Sequence, residues 1–181
     1  PVIVRIDGKA FHTYTKGLDK PFDSILSEAM NYVCRKLVET VQGCKFAYTQ
    51  SDEISLLLTD WDKSTTNCYF DYRVQKMVSV LASAATMYFN QYIVSKVLYW
   101  QKEKSELSDK LFDKWAVKAG CAMFDARAYN LPKEEVCNYF IWRQEDASRN
   151  SIQSLGRSKF SFKQMLNKKN NEVQDMLFNE Y

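Results

Sequence analysis

Pro1-Val2-Ile3-Val4-Arg5-Ile6-Asp7-Gly8 opens the chain. Val2, Ile3, Val4 and Ile6 form a near-continuous apolar run, the pattern of a strand buried on both faces, so residues 1–6 are predicted to be a strand. Gly8 ends it, and Asp7 sits where it runs out. A second carboxylate stands at a comparable place downstream. Residues 45–49 and 54–59 read as two strands, and the tight connection Gln50-Ser51-Asp52-Glu53 between them predicts a hairpin. How these two strand ends relate in space decides both the fold and the chemistry.

The remaining periodicities supply the rest of the topology. Residues 9–20 read as a loop, with Gly17 and Pro21 as punctuation. Leu26, Ala29, Met30, Val33, Leu37 and Val41 recur at three and four. They predict an amphipathic helix from Asp23, a fitting N-cap, to Val41, with Gly43 as its stop. A long helix is expected over about residues 67–100, with Phe70, Val74, Met77, Leu81, Ala85 and Phe89 along one face. The charged stretch 101–119 reads as a helix end plus loop, and 121–129 as a fourth strand. Pro132 suits a first helical turn continuing over 133–155, and one or two short helices fill 161–177. The order β-α-β-β-α-β followed by helices is the split βαβ, or ferredoxin-like, α+β arrangement. Residues 1–130 are expected to form a palm-like catalytic domain, with 131–181 a helical region packed on it. In this topology strands one and two are parallel and strand three lies antiparallel between them. Asp7 and Asp52 therefore meet at one edge of the sheet.

Two carboxylates at neighbouring strand ends are what a pair of Mg²⁺ ions, about 4 Å apart, needs to hold a nucleoside triphosphate. Taken singly, Asp7-Gly8 is also an ordinary turn start, and Ser51-Asp52 is ordinary hairpin chemistry. Glu53, next to Asp52, points the other way along a regular strand and is assigned a supporting place among the catalytic acids Asp7, Asp52 and Glu53. Gly8, Lys9, Ala10, Phe11 and His12 can present successive backbone N–H groups as a cradle for phosphate oxygens. His12, the one histidine, is read as a donor to a triphosphate. Phe11 and Tyr48 can stack on a base or pack in the core. Lys20, Arg73, Lys76 and Arg127 are isolated cations, each by itself a surface charge. Arg73 and Lys76 share a helix face and could compensate a second triphosphate or a nucleic-acid 5′ end. Tyr69-Phe70 and Tyr139-Phe140-Ile141-Trp142 read as core.

Composition narrows the class. With 181 residues and 46% hydrophobic content, the chain can bury a sizeable core. A formal net charge of +3 does not by itself mark a nucleic-acid binder. Between Arg143 and Lys169, however, the basic residues outnumber Glu145 and Asp146, and such a stretch could meet phosphates or simply face solvent. The five cysteines show no C-x-x-C spacing, which argues against a zinc site and for a reducing, cytoplasmic setting. No apolar run reaches membrane-spanning length. The chain begins at Pro1, directly in a strand, and is expected to be a portion of a longer polypeptide.

These residues, in this order, resemble the tRNA-His guanylyltransferase family of 3′–5′ nucleotide-adding enzymes. The resemblance rests on Arg5-Ile6-Asp7-Gly8 with Phe11-His12, on Lys20-Pro21, and on Gln50-Ser51-Asp52-Glu53. It extends to Phe124-Asp125-Ala126-Arg127 and to Trp142-Arg143-Gln144 with Asp146 and Asn150. It implies a palm-like core, two Mg²⁺ ions, ATP, GTP and other NTPs as substrates, tRNA as acceptor, and a homo-tetramer. The metal ligands it implies are Asp7, the Gly8 carbonyl and Asp52. The triphosphate segment is Asp7 to His12 with Ser51, and Lys20, Arg73, Lys76 and Arg127 are the neighbouring cations. Arg143, Arg149 and Asn150 are the candidate tRNA contacts. Eukaryotic members that guanylate tRNA-His carry His-Ile-Asn-Asn after the Trp-Arg-Gln motif, where this chain has Ser148-Arg149-Asn150-Ser151. That resembles the Thg1-like branch and implies template-dependent repair of truncated tRNA 5′ ends, with strict guanylylation of tRNA-His as the alternative. Two readings from other classes are a palm-type nucleotidyl cyclase and a non-enzymatic RNA-binding module. The second would want exposed aromatics on a central strand, and Ile54-Ser55-Leu56-Leu57-Leu58 has none.

Overall fold

The apolar opening stretch becomes an inner strand of a four-stranded sheet. The computed structural model describes residues 1–180. The chain runs β1 (Val2–Gly8), α1 (Phe11–Tyr14), α2 (Ser24–Thr40), β2 (Cys44–Gln50), β3 (Glu53–Leu58), α3 (Val74–Glu103) and α4 (Glu106–Ala116). It continues through β4 (Phe124–Asn130), α5 (Val136–Lys159), α6 (Phe162–Met165) and α7 (Asn170–Glu180). The sheet order is β2-β3-β1-β4, with every neighbouring pair antiparallel. This is the split βαβ order: β3 lies between β1 and β2, which are parallel to each other. Gln50 pairs with Glu53, so Ser51 and Asp52 alone make the hairpin turn.

Alternation along the strands divides the sheet into two unlike faces. Val2, Val4 and Ile6 of β1, with Ile54, Leu56 and Leu58 of β3, enter the main core. There they meet Ala29, Met30, Val33 and Leu37 of α2 and Met77, Leu81, Ala85, Phe89 and Ile93 of α3. The α2 helix starts where the sequence places it: the Asp23 carboxylate accepts the N–H of Ile25 (3.0 Å) and Leu26 (3.1 Å). Gly43 takes φ 77°, and a Cβ there would lie 2.7 Å from the Thr59 carbonyl oxygen, so only glycine turns the chain into β2. The other face carries Ile3, Arg5, Asp7, Glu53 and Ser55. It is covered in part by α5, whose Tyr139 hydroxyl lies 2.7 Å from that of Ser55.

Four expectations are corrected. The long helix begins at Val74, not near residue 67, because Phe70, Asp71 and Tyr72 adopt positive φ (49°, 51° and 53°), which a right-handed helix cannot include. The charged stretch 101–119, expected as a helix end plus loop, holds the end of α3 and then a further helix, α4. Lys104, at φ 50°, breaks α3; Ser105 then accepts the Ser108 N–H at 3.1 Å and caps α4, which buries Trp115 completely. The aromatic run at the start of α5 is only partly interior: Tyr139 is buried, whereas Ile141 and Trp142 are about half exposed. The loop expected over 9–20 contains one helical turn, α1. Among the described residues no helix is long and apolar enough to cross a membrane.

Candidate active site

The ends of β1 and of the β2–β3 hairpin are tied by backbone. The Gly8 N–H donates to the Asp52 carbonyl at 3.0 Å, and the Lys9 N–H donates to the Met123 carbonyl at 2.8 Å. Gly8 is required for a steric reason: a Cβ there would fall 2.3 to 2.7 Å from the Phe11 ring, which folds back beneath it. Phe11 is buried, in tilted contact with Phe124 and edge-on to Phe89. Its ring is therefore a foundation for the loop and does not face a base. Ala10 (φ 55°) and Ser51 (φ 49°) both hold left-handed backbone, which costs a non-glycine residue about 1 kcal/mol or more. These two strained positions flank the place where Asp7 and Asp52 meet. The Ser51 hydroxyl donates to Asp52 Oδ1 at 3.0 Å and fixes that carboxylate.

The register of the sheet builds a row of acids. Asp7 pairs with Glu53 on one side and with Asp125 on the other, and in the next row Arg5 pairs with Ser55 and Arg127. Burial pushes the Asp7 carboxyl above the usual aspartate range. The Asp52 and Asp125 charges push it further, and Arg5 and Arg127 only partly oppose them. Asp7 is thus a carboxylate short of positive charge. Glu53 is not. Arg143 of α5 grips it with two 2.8 Å hydrogen bonds, and Arg5 approaches to 4.0 Å. Burial raises Glu53 while Arg143 opposes it. Burial likewise works to lower Arg143, but the Glu53 charge leaves it more firmly protonated. Arg143 also donates to Asp146 at 3.1 Å, and Asp146 accepts from Arg149 (3.1 Å) and Asn150 (3.3 Å). The Trp-Arg-Gln segment of α5 is thereby braced against the hairpin.

A cleft of about 750 Å³ opens over this edge, a size that admits a nucleotide. Of the residues singled out by sequence, Asp7, Phe11, His12, Lys20, Ser51, Asp52, Glu53, Arg143 and Asn150 line it. Gly8, Lys9 and Ala10, expected as a cradle for phosphate oxygens, are not in its lining, and the Gly8 and Lys9 N–H groups are already bonded within the protein. Arg143 is 6% exposed and engaged by Glu53, so its charge serves an internal pair. Arg149 is exposed but lies outside the lining. Arg127 flanks Asp125 at 3.8 Å. Arg73 and Lys76 lie elsewhere. Their helix start, with Val74 and Met77, borders a separate hollow that includes Pro1 and Val2, at the opposite end of β1, about 20 Å away. Sequence reasoning did not single out Asp125 as a site acid. The signal for it was present, since Asp125 and Arg127 alternate in a strand that had only to be put in register with β1.

The donor set fits a hard divalent cation. Asp7 and Asp52 offer carboxylate oxygens, Gly8 a backbone carbonyl, and Gln50 Oε1 is a buried oxygen with no hydrogen-bond partner among the described residues. No cysteine lines the cleft; the one imidazole in its lining is His12. Among the described residues no group of three or more His, Cys, Asp or Glu forms a closed cage. Mg²⁺ is commonly held by one or two carboxylates, with substrate phosphates and water completing its shell, and this edge has that incomplete character.

The family model of tRNAHis guanylyltransferase matches residues 1–132. A bacterial tRNA(His) guanylyltransferase-like protein, solved in complex with ATP, superposes with a TM-score of 0.83 at 45% identity, covering 99% of this chain and 70% of that one. One solved in complex with GTP gives 0.73 at 47% identity, covering 88% and 67%. The tRNA(His) guanylyltransferase of Schizosaccharomyces pombe is 32% identical over 154 residues, 83% of this chain and 51% of that protein. The chain thus spans about half the length of the curated relatives it matches. The match over residues 1–132, together with likeness across almost the whole chain, places this protein in the tRNAHis guanylyltransferase family.

Proposed function

We propose that the chain is the catalytic portion of a Mg²⁺-dependent nucleotidyltransferase that adds nucleotides in the 3′–5′ direction to the 5′ end of a tRNA. One observation carries this reading: the Gly8-to-Asp52 backbone bond brings Asp7 and Asp52 to one edge of a nucleotide-sized cleft. In the first step a tRNA 5′-monophosphate attacks the α-phosphate of ATP or GTP and pyrophosphate leaves. In the second, the 3′-hydroxyl of an incoming NTP attacks the activated 5′ phosphate and the nucleoside monophosphate leaves. Loss of pyrophosphate then trims the new 5′ triphosphate.

Asp7, Asp52 and the Gly8 carbonyl would hold the two ions, which when bound supply charge neutralisation to the phosphates. His12 and Lys20 line the same cleft and offer donors to phosphate oxygens. The Gly8 and Lys9 N–H groups are engaged by the Asp52 and Met123 carbonyls, so these side chains, and not those two amides, would meet the phosphates. Glu53 and Arg143 hold the hairpin in place, and Asn150 presents a polar edge to the acceptor RNA. Arg73, Lys76 and Arg127 would meet further phosphates of a bound tRNA outside the cleft. Replacement of His-Ile-Asn-Asn by Ser148-Arg149-Asn150-Ser151 favours template-dependent repair over guanylylation confined to tRNA-His. We place the activity in residues 1–130, with 131–181 as a supporting helical region, in a cytoplasmic homo-tetramer.

The test is an addition assay with Mg²⁺ and all four NTPs, comparing a 5′-labelled tRNA lacking its first nucleotide with intact tRNA-His. Extension of the truncated tRNA by the templated base is expected. Addition of a single G to tRNA-His alone would replace repair by strict guanylylation. Cyclic nucleotide formed from NTP without RNA would overturn both.

A further inference from the structure

The cleft lining joins two chemically different groups: the polar Asp7, Ser51 and Asp52, and the apolar Pro21, Phe22 and Leu26 from the segment that leads into α2 and also carries Lys20. Phe22 is 58% exposed, in contrast to Phe11, which is 3% exposed and packed in the core. Other large apolar side chains of this chain are exposed too; what sets Phe22 apart is its place in the lining of the cleft that holds Asp7 and Asp52. The backbone beneath it is firmly held. Asp23, the next residue, is buried and accepts the N–H groups of Asp19 (3.1 Å), Ile25 (3.0 Å) and Leu26 (3.1 Å). Asp19 is in turn anchored by Lys114 at 2.5 Å. Phe22 is therefore an exposed ring on fixed backbone, in the lining of a cleft that also holds the groups suited to phosphates.

We infer that Phe22 is the stacking platform for the nucleobase of the bound triphosphate, an assignment that rests on the nucleotide site proposed above. The polar groups around it also define how that base is read. Both Asp23 carboxylate oxygens accept backbone bonds, and the Ser27 hydroxyl donates to the Asp23 carbonyl at 3.1 Å. Asp23 and Ser27 are thus engaged in capping α2, so the two polar residues nearest Phe22 on its C-terminal side are not free to read a base, and the ring offers it a π-face. Stacking is tolerant of base identity because every base has such a face. The site then prefers a nucleoside triphosphate to bare triphosphate, while treating adenine and guanine alike.

Titration calorimetry with ATP, GTP and inorganic tripolyphosphate, each with Mg²⁺, tests this on wild type, Phe22→Ala and Phe22→Trp. Phe22→Ala is expected to weaken ATP and GTP equally, by about 10-fold, and to leave tripolyphosphate unchanged, with Phe22→Trp restoring both nucleotides. Unchanged nucleotide affinity in Phe22→Ala would overturn the platform. So would an equal loss for tripolyphosphate, which would mean that the loop had shifted and not that stacking was lost. A wild-type protein that binds none of the three would instead overturn the nucleotide site itself.

Discussion

The two faces of the sheet come from the same strands and obey different physics. On one, Val4 and Ile6 are fully buried against α2 and α3. On the other, reached by moving one residue along the chain, Arg5 and Asp7 remain half-buried, Asp7 in a row with Glu53 and Asp125 and Arg5 beside Arg127 in the next row. The apolar face lowers the free energy of folding. The charged face leaves Asp7 in a state that folding alone does not favour, since burial and two neighbouring acids raise its carboxyl. Stability and chemistry are thereby separated across one strand thickness, and substitutions on the two sides should separate them again.

The largest effect tests that separation directly. Asp52→Asn keeps the carbonyl that accepts from Gly8 and an oxygen for the Ser51 hydroxyl, yet removes the charge that would hold the metal. Nucleotide addition should fall by about 10³-fold or more while Tm stays within a degree or two of wild type. Leu81→Ala, in the core on α3 and away from the Phe11 ring that supports the site loop, should do the reverse. It should cost about 3–5 kcal/mol in urea unfolding while preserving addition per folded molecule. If both variants lost activity and stability together, the two faces would not be separable.

A smaller effect is expected where the faces become alike. Glu53 and Arg143 are charged but nearly as buried as the core, with side-chain exposures of 11% and 7%. Arg143→Leu leaves a buried carboxylate without its bidentate partner and should cost about 3 kcal/mol. Glu53→Leu combined with Arg143→Leu should recover most of that loss, because two apolar groups need no compensation. The double-mutant cycle read by urea unfolding gives the coupling. An additive double mutant would mean that the pair does not act as a unit.

These contrasts were unequally legible in the sequence. Asp7 and Asp52 could be placed together because strand order alone forces it: β-α-β-β leaves the end of β1 beside the β2–β3 turn. The full row Asp125-Asp7-Glu53 could not, because alternation gives the face of each residue but not the register between strands. Arg143 stood in a basic stretch that suggested RNA, and only the approach of α5 to the hairpin reveals Glu53 as its partner. Arg73 and Lys76 share a helix face as their spacing requires, but spacing carries no information about which end of the sheet that face reaches. The α4 helix was hidden by its own surface: charges dominate 101–119, while the Leu111 and Trp115 spacing that packs it is sparse. The three left-handed residues Phe70, Asp71 and Tyr72 break an apolar period that otherwise runs straight through them, and none is a glycine that would announce the break.

The smallest effect concerns pH and isolates the cost of the charged face. Asp7 in the folded protein holds its proton more tightly than its ordinary value of 3.8. A carboxyl raised in this way contributes stability that is fully present below the unfolded value and is lost as pH rises through the folded one. In metal-free protein, Asp7→Asn removes this term. The Tm difference between Asp7→Asn and wild type should therefore favour the variant at neutral pH and shrink on acidification toward and below 3.8. Added Mg²⁺ should reverse the neutral-pH difference, since an ion bound only by the folded wild type stabilises it by mass action. A wild type more stable than Asp7→Asn at neutral pH without metal would mean that Arg5 and Arg127 already compensate Asp7. The charged face would then be a structural ion-pair lattice like the Glu53–Arg143 brace, and the contrast between the two sides of β1 would reduce to one of composition.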